Sequence, residues 1–189
     1  MLLSTQEPSD EELVECFQAG DQSAFDILYQ RYYQGLYGYI AHATDRHQGE
    51  DLAQDAFEIA LNNLPFLKDG KCFKVWLYQI ATNRMKDWAR RAKLLSWLPW
   101  RVVKEGSITE AVCLEHFEKK VEQEDFIRQV MCNVSKKYRV CIYLDIFLEM
   151  RQHEIASLLN MRERTVRRYI AKGKAELRAV YVRLIDEVP

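Results

Sequence analysis

The chain has 189 residues, of which 48% are hydrophobic and 29% are charged, and its formal net charge is -1 at pH 7. This balance predicts a soluble globular protein of one domain or two small ones. No apolar run approaches the roughly 18 residues that would span a bilayer, and no signal-peptide pattern opens the chain. We therefore expect a cytoplasmic protein without membrane insertion.

The near-zero net charge conceals a segregation of charge along the chain. Residues 1–60 carry 2 basic and 12 acidic side chains, whereas residues 61–106 carry 10 and 3. Residues 107–125 are acidic again, with 2 against 6, and residues 126–189 are basic, with 13 against 7. Two basic segments of this kind favour contact with phosphate, although any single basic run can simply be a solvated helix face.

The first elements are helices with recognisable ends. Only 7 glycines and 4 prolines occur in the chain, and helical periodicity prevails, so we predict an all-α fold. Ser9 and Glu12 form a capping-box pattern that opens a first helix through Ala19, with Gly20 as its stop and Asp21 as the cap of the next. That second helix carries a stripe that is predicted to be core: Phe25, Leu28, Tyr29, Tyr32, Tyr33, Leu36 and Tyr39.

A third helix from about Glu50 to Asn62 has one apolar and one polar face. Its apolar positions, predicted to be buried, are Leu52, Ala56, Ala60 and Leu64. Its polar positions form an exposed acidic stripe: Asp51, Gln54, Asp55 and Glu58. Residues 64–73 follow as a loop, because Pro65 and Gly70 are turn formers.

The fourth helix, Phe73 to Arg91, mixes rings with cations, and both a core role and a nucleic-acid role are open to it. On a helical projection its core arc contains Phe73, Leu77, Ile80, Ala81 and Trp88, with Trp76 at the edge. Lys74, Asn83, Lys86 and Arg90 fall largely off that arc, whereas Arg84 and Arg91 project toward it, where they would form ion pairs or snorkel. We therefore predict a helix with one apolar face that packs in the core and one basic face that contacts nucleic acid.

Beyond Arg91 the periodicity is lost until about residue 125. This stretch is predicted to be a flexible linker with one short helix around Thr109 to Lys120, and it contains Trp97 and Trp100. The predicted domains are therefore residues 1–94 and 125–189, with residues 95–124 between them. Ser135 then caps a helix whose predicted core residues are Val140, Ile142, Tyr143, Leu144 and Phe147.

The last segment has the pattern of a helix-turn-helix. Ala156 is small where two crossed helices approach most closely, and Asn160 tolerates the left-handed geometry of the turn. Ile155, Leu159 and Val166 would clamp the two helices together. Cations surround the apolar positions of the second helix, as major-groove binding requires, namely Arg162, Arg164, Arg167, Arg168, Lys172 and Lys174. A bundle with a basic solvated face is the alternative.

The sequence offers little support for a metal site or for an enzyme active site. The five cysteines are odd in number and widely spaced, which favours reduced thiols over disulfides. Cys113, His116 and Cys132 raise the alternative of zinc, but the ligand set is incomplete and lacks a close cysteine pair. No glycine-rich phosphate loop or nucleophile motif occurs. We predict neither an enzyme nor any metal or other cofactor.

Three segments in order resemble the extracytoplasmic-function sigma factors of the sigma-70 family. They are GEDLAQDAF from Gly49 to Phe57, FKVWLYQIATNRMKDWARR from Phe73 to Arg91, and EIASLLNMRERTVRRYIAKGKAEL from Glu154 to Leu177. The resemblance covers about residues 20–94 and 126–182. It implies two helical domains, regions two and four, that bind core RNA polymerase and carry it to promoter DNA.

The resemblance also assigns residue sets to these tasks. Asp51, Gln54, Asp55 and Glu58 would dock on the clamp helices of the polymerase's largest subunit. The minus-10 element, read as a single strand at the loop from Leu67 to Cys72, would be contacted by Lys68, Lys71, Phe73, Lys74, Asn83, Lys86 and Arg90. The minus-35 duplex would be contacted by Arg162, Arg164, Thr165, Arg167, Arg168, Lys172 and Lys174. Region four is expected to meet the β-subunit flap, and an anti-sigma factor is an expected partner that could hold the chain at the membrane.

The chain departs from the family pattern in three places. Arg164 stands where many members have Gly, and the segment EMRQHEIA lacks the Gly that commonly precedes the motif. Gln79 and Ile80 replace the tandem Trp wedge of housekeeping sigma factors, as is usual in this smaller group, which implies stricter promoter choice. The rival interpretation is a one-component helix-turn-helix regulator that binds an operator without polymerase, and it leaves the first two segments unexplained.

Overall fold

The computed structural model describes residues 7–44, 46–91, 130–131 and 133–186. Every regular element in these residues is helical, which confirms the all-α prediction. The chain divides into two compact units, Met1–Arg91 and Ala92–Pro189. The linker tryptophans, the short helix around residues 109–120, and the candidate zinc ligands Cys113, His116 and Cys132 lie outside the described residues.

In the residues of unit 1 that the structure describes, there are four α-helices and two short 3-10 turns. The capping box at Ser9 and Glu12 is formed: the Glu12 carboxylate accepts the Ser9 N–H at 2.7 Å, and this bond lowers the pKa of Glu12. Gly20 takes a positive φ of 107° and ends the first helix as predicted. The bounds are α1 Asp10–Gln18, α2 Ser23–Ala43, α3 Arg46–Asn63, 3-10 turns Leu64–Phe66 and Gly70–Cys72, and α4 Phe73–Arg91.

Two helix starts differ from the sequence prediction. The N-cap of α2 is Gln22, and Asp21 lies one residue earlier, where its Oδ1 accepts the N–H of Ser23 at 3.0 Å. Helix α3 begins at Arg46 rather than near Glu50. Gly49 lies inside α3 at a close approach to α2: a Cβ there would be 3.1 Å from the Cβ of Ala41.

The core of unit 1 lies between α2, α3 and α4. The predicted core positions Leu28, Leu36 and Tyr39 of α2 have no exposed surface. Tyr39 and Thr82 share a buried hydrogen bond of 2.8 Å between their hydroxyl groups. Tyr29, by contrast, is 38% exposed, because the predicted stripe on α2 is wider than the arc that α3 and α4 cover. The predicted apolar positions of the third helix are buried, namely Leu52, Ala56, Ala60 and Leu64.

The buried arc of α4 is rotated relative to the prediction. Ile80 and Trp88 are only half-buried, whereas Tyr78 and Thr82 are fully buried. The prediction for α4 rests on the assumption that its largest apolar side chains face the core. Because α4 packs against both α2 and α3, the covered arc is wide and includes the hydroxyl of Thr82, which donates to the Tyr78 carbonyl at 2.7 Å.

The described part of unit 2 includes α5 Lys136–Ile142, a π-helical turn Tyr143–Phe147, α6 Gln152–Leu159 and α7 Glu163–Asp186. Ser135 is the N-cap of α5 as predicted, but its Oγ contacts the Glu176 carboxylate of α7 at 3.1 Å. Ile142 and Leu144 are fully buried, whereas Phe147 is 40% exposed. Burial raises the pKa of the Cys141 thiol to about 12.

The helix-turn-helix prediction is confirmed in its geometry. Asn160 adopts the left-handed conformation, with φ 52° and ψ 48°, between α6 and α7. Ile155, Leu159 and Val166 are buried, as is Ala156 at 8% exposure. The turn therefore sets the angle of α7, and the apolar contacts on both sides of it hold that angle.

The segment before α6 contains two residues that are poorly suited to their positions. Glu149 has a φ of 50°, which favours glycine, and Arg151 is an N-cap whose side chain has no acceptor atom. Only the Glu154 carboxylate caps this end, by accepting the Arg151 N–H at 2.7 Å. The segment that lacks the family's glycine therefore contains a position, Glu149, whose backbone conformation would favour glycine.

We expect Glu149→Gly combined with Arg151→Ser to raise the free energy of unfolding of unit 2 by about 1–2 kcal/mol. Glycine removes the strain of the left-handed residue, and serine supplies a hydroxyl acceptor for the helix. Urea denaturation measures the change. Glu149→Ala retains a Cβ in the strained conformation and is the control, so an equal gain from this alanine variant would contradict the explanation.

Candidate functional site

The acidic face of α3 is present, and two of its members have partners within the unit: Asp51 lies 3.3 Å from the His47 imidazole one turn earlier, and Asp55 pairs with Arg84. Asp51, Gln54 and Glu58 are exposed at helical spacings of three and four. Asp55 is half-buried, and its Oδ2 lies 2.6 Å from a guanidinium nitrogen of Arg84 on α4. Arg84 therefore forms an ion pair, as its projection toward the apolar side suggested. Three of the four predicted docking residues, Asp51, Gln54 and Glu58, are therefore exposed to solvent.

The segment between α3 and α4 is held firmly against α1. The side-chain amide of Gln18 donates to the carbonyl oxygens of Leu64 at 3.0 Å and Leu67 at 2.9 Å. Gly70 packs so closely that a Cβ there would be 2.8 Å from the Cα of Glu11. Lys71 lies 3.5 Å from the Glu11 carboxylate. The predicted loop is therefore two anchored 3-10 turns, and Lys68 and Lys71 are exposed on it.

One face of α4 combines an amide with two cations. Asn83, Lys86 and Arg90 follow one another at spacings of three and four, and Asn83 accepts a hydrogen bond of 3.1 Å from the Gln79 amide. Partial burial, and then the charge of Arg90, lowers the pKa of Lys86. Arg90 also pairs with Asp87 on the same helix. This face lies opposite Ala81 and Met85, which are fully buried.

Two residues of the predicted minus-10 set do not belong to that face. Phe73 has no exposed surface, and its ring contacts those of Tyr32 and Trp76. A direct DNA contact by Phe73 is therefore wrong: its side chain anchors the start of α4 in the core. Lys74 is half-buried and lies on the side of Ala81 and Met85, so it is separated from Asn83, Lys86 and Arg90.

On α7 the predicted minus-35 residues separate into two groups. Arg164, Arg168 and Lys172 are exposed and spaced by four, which places them on one face opposite the buried Val166 and Ile170. Arg162 is exposed just before this helix, and Thr165 is half-buried in its first turn.

The other two cations of the predicted minus-35 set on α7, Arg167 and Lys174, have partners within unit 2. The Arg167 guanidinium donates to Gln152 of α6 at 3.2 Å, and its NH2 group lies 3.4 Å from the Glu163 carboxylate. Lys174 forms a 2.6 Å ion pair with Asp145, whose side chain is only 16% exposed. Lys174 thus fastens α7 to the π-helical turn, a role that sequence reasoning did not foresee.

Unit 2 also has an apolar groove that the sequence analysis missed. Its volume is about 480 Å³, and it is lined by Val130, Met131, Phe147, Leu177, Arg178, Tyr181 and Val182. Phe147, Tyr181 and Val182 are 40%, 50% and 56% exposed. The available signal was the continuation of apolar residues along α7 beyond the helix-turn-helix. Such a groove is suited to an apolar helix or turn of another protein.

Within the described ranges, no cluster of three or more His, Cys, Asp or Glu side chains could hold a metal ion. The same residues include no helix that is both long and apolar enough to cross a membrane. What the described residues do provide is an acidic helix face and a mixed basic face in unit 1, and a basic recognition helix with an apolar groove in unit 2. These features define a helical protein that binds both DNA and protein.

Comparison with known proteins identifies the family. Residues 28–94 match the model of sigma-70 region 2, and residues 127–177 match that of sigma-70 region 4. The chain is 32% identical over 170 residues to the ECF RNA polymerase sigma factor SigW of Bacillus subtilis, covering 84% of this chain and 89% of SigW. It is 25% identical to the ECF sigma factor SigM of the same organism, covering 86% of this chain and 98% of SigM.

A solved structure of CnrH in complex with the cytosolic domain of CnrY has a similar fold. The TM-score is 0.60 at 22% identity, and the match covers 96% of this chain and 100% of the other. The chain belongs to the extracytoplasmic-function sigma factors of the sigma-70 family. It is an alternative sigma factor that directs promoter-specific transcription. The one-component regulator is not favoured, since it does not account for the region 2 match.

Proposed function

We propose that the two units divide promoter recognition between them, with residues 1–94 reading the minus-10 element and residues 125–189 the minus-35 element. Residues 95–124 connect them. The observation that carries this proposal is the pairing of an anchored loop and mixed basic helix face in unit 1 with a helix-turn-helix in unit 2. A regulator that bound only duplex DNA would not need the anchored loop and mixed basic face of unit 1.

The acidic face of α3 docks on the clamp helices of the polymerase's largest subunit. Asp51, Gln54 and Glu58 are the principal contacts because they are exposed and share one face. Asp55 contributes mainly by holding Arg84, and thereby α4, at a fixed position relative to α3. An acidic face suits a basic partner and would speed its association through electrostatic steering.

The minus-10 element is bound as a single strand by the anchored 3-10 turns and the exposed face of α4. Lys68, Lys71, Lys86 and Arg90 neutralise phosphates, and Asn83 offers an amide to a base edge. Extracting a base from the duplex costs a few kcal/mol, and a binding surface that is already rigid offsets that cost most effectively. The Gln18 hydrogen bonds and the close packing of Gly70 on Glu11 supply this rigidity.

The minus-35 duplex is read by α7. Arg164, Arg168 and Lys172 enter the major groove, where long cationic side chains reach guanine edges and phosphates, and Arg162 and Thr165 contact the backbone at the start of the helix. Arg167 is shared between DNA and its partner Gln152. Lys174 acts through its ion pair with Asp145, which orients α7.

The apolar groove of unit 2 receives the β-subunit flap. Its apolar lining includes Leu177, Tyr181 and Val182 in the second half of α7, whereas the proposed DNA contacts lie in the first half. Region four can therefore bind duplex DNA and polymerase at the same time. Helix-in-groove docking of this kind depends on apolar anchors rather than on charge.

An anti-sigma factor that covers these surfaces is the further partner we propose. CnrH, whose fold this chain shares, was solved with the cytosolic domain of CnrY. The exposed acidic face of α3 and the apolar groove of unit 2 are both available to such a protein. We propose a cytoplasmic location, with release from the anti-sigma factor as the activating step.

Permanganate footprinting tests the proposed division of labour. Core polymerase with this chain, but neither component alone, is expected to render thymines of the minus-10 element reactive, because only unstacked thymines react. The promoter is the one mapped from transcript starts after overexpression. Protection of the minus-10 region as intact duplex by the chain alone would contradict the proposal.

A further inference from the structure

Phe66 is the most exposed large hydrophobic side chain in the part of the chain that the structure describes. Its exposure is 78%, against 56% for Val182, the next of them. A single apolar side chain at a surface is common and needs no function by itself. Two observations on its surroundings make Phe66 different.

The first observation is that the backbone around Phe66 is fixed. Phe66 ends the 3-10 turn Leu64–Phe66, which contains Pro65, and the Leu67 N–H closes this turn on the Leu64 carbonyl at 3.1 Å. The Gln18 amide donates to the carbonyl oxygens of both Leu64 and Leu67, on either side of Phe66. Leu64 itself is fully buried. The ring therefore projects from an anchored turn.

The second observation is the chemistry of its neighbours. Lys68, two residues later, is exposed, and the side chain of Lys71 is 72% exposed. Asn62 and Asn63, just before the turn, are also exposed. An exposed ring among cations and amides matches the composition of surfaces that bind single strands, where rings stack on bases and cations neutralise the backbone. Apolar side chains also lie nearby, since Leu61 is 37% exposed and Pro65 is exposed, so a protein contact is the alternative that the measurement of core-polymerase affinity tests.

We propose that Phe66 is a stacking platform for one unpaired base of the opened promoter strand. This inference deepens the proposed reading of the minus-10 element and rests on it. Phe66 lies outside the residues that the family resemblance assigns to that task, which begin at Leu67. Its role is to hold a base that has left the duplex stack, so that the anchored turn contributes affinity for the open complex and none for closed duplex DNA.

The test uses holoenzyme assembled from core RNA polymerase and the full chain. The probe is a fork-junction DNA with a single-stranded non-template minus-10 region from the mapped promoter. Phe66→Ala is expected to weaken binding of this probe by about tenfold and Phe66→Trp to retain it. Phe66→Leu, which keeps an apolar side chain without a π face, should resemble alanine. Ile27→Ala, a change at another exposed apolar side chain of unit 1, is the control and should have no effect.

A series of abasic substitutions locates the base. In the wild type, one abasic position should weaken binding of the probe. In Phe66→Ala the same abasic position should cause no further loss of affinity, because the ring that stacks on that base is already absent. Equal probe binding by Phe66→Ala and the wild type would overturn the inference, as would full activity of Phe66→Leu. Loss of core-polymerase affinity in Phe66→Ala would overturn it in favour of a protein contact. If the wild-type holoenzyme itself failed to bind the probe, the proposed minus-10 function would fail instead.

Discussion

Replacing Arg168 and Lys172 together with alanine is expected to weaken binding of the minus-35 duplex by about 100-fold and to leave the affinity for core polymerase unchanged. Both side chains are exposed on the face of α7 opposite Val166, and neither has an ion-pair partner among the residues that the structure describes. Loss of two phosphate contacts should also reduce the slope of affinity against salt concentration by about 2. Fluorescence anisotropy with a minus-35 duplex at several salt concentrations measures both quantities.

The matched control removes the same charge elsewhere in unit 2. Lys137 and Arg183 are exposed and lie outside the proposed DNA face, so their double alanine variant should bind duplex nearly as the wild type does. Arg167→Ala should have a smaller effect than Arg168→Ala, because Arg167 is partly engaged by Gln152. A loss of polymerase binding in the Arg168 and Lys172 variant would show that this face of α7 has been misassigned.

Reversing charge on α3 is expected to have the second large effect. Asp51→Lys combined with Glu58→Lys should lower the affinity for core polymerase at least about 100-fold, since like charges placed in contact cost several kcal/mol. The defect should shrink as salt is raised, because the charges are exposed and screened. Titration of core polymerase with labelled chain gives the affinity.

The control for that variant carries an equal charge change on other helices. Glu15 and Asp26 are exposed on α1 and α2, and their double lysine variant should bind polymerase nearly as the wild type does. Asp51 and Glu58 have no role in the core of unit 1, so both double variants should keep the wild-type thermal stability. Equal losses of affinity in the two variants would mean that net charge, and not the α3 face, governs docking.

Local geometry was predictable from sequence where one residue type decides it. The capping box at Ser9, the left-handed Asn160 and the span Phe73 to Arg91 of α4 all follow from preferences of single residues and their near neighbours. The helix-turn-helix core followed for the same reason, since its apolar positions lie within twelve residues of one another.

Side-chain partners distant in sequence were not predictable in this way. Lys174 lies on α7 and Asp145 on the π-helical turn, and nothing in the local sequence around either residue indicates that they form an ion pair. Phe73 is placed in the core arc by the helical projection but among the minus-10 residues by the family resemblance, and its complete burial agrees with the projection. The groove of unit 2 likewise arises only when the far end of α7 lies beside Phe147.

Run-off transcription tests the central claim most directly. Core polymerase, this chain and a template carrying the mapped promoter are predicted to give one transcript from the mapped start. That transcript should disappear when either the minus-10 or the minus-35 element is scrambled, and it should require the chain. Absence of any chain-dependent transcript, together with absence of core-polymerase binding, would contradict the account.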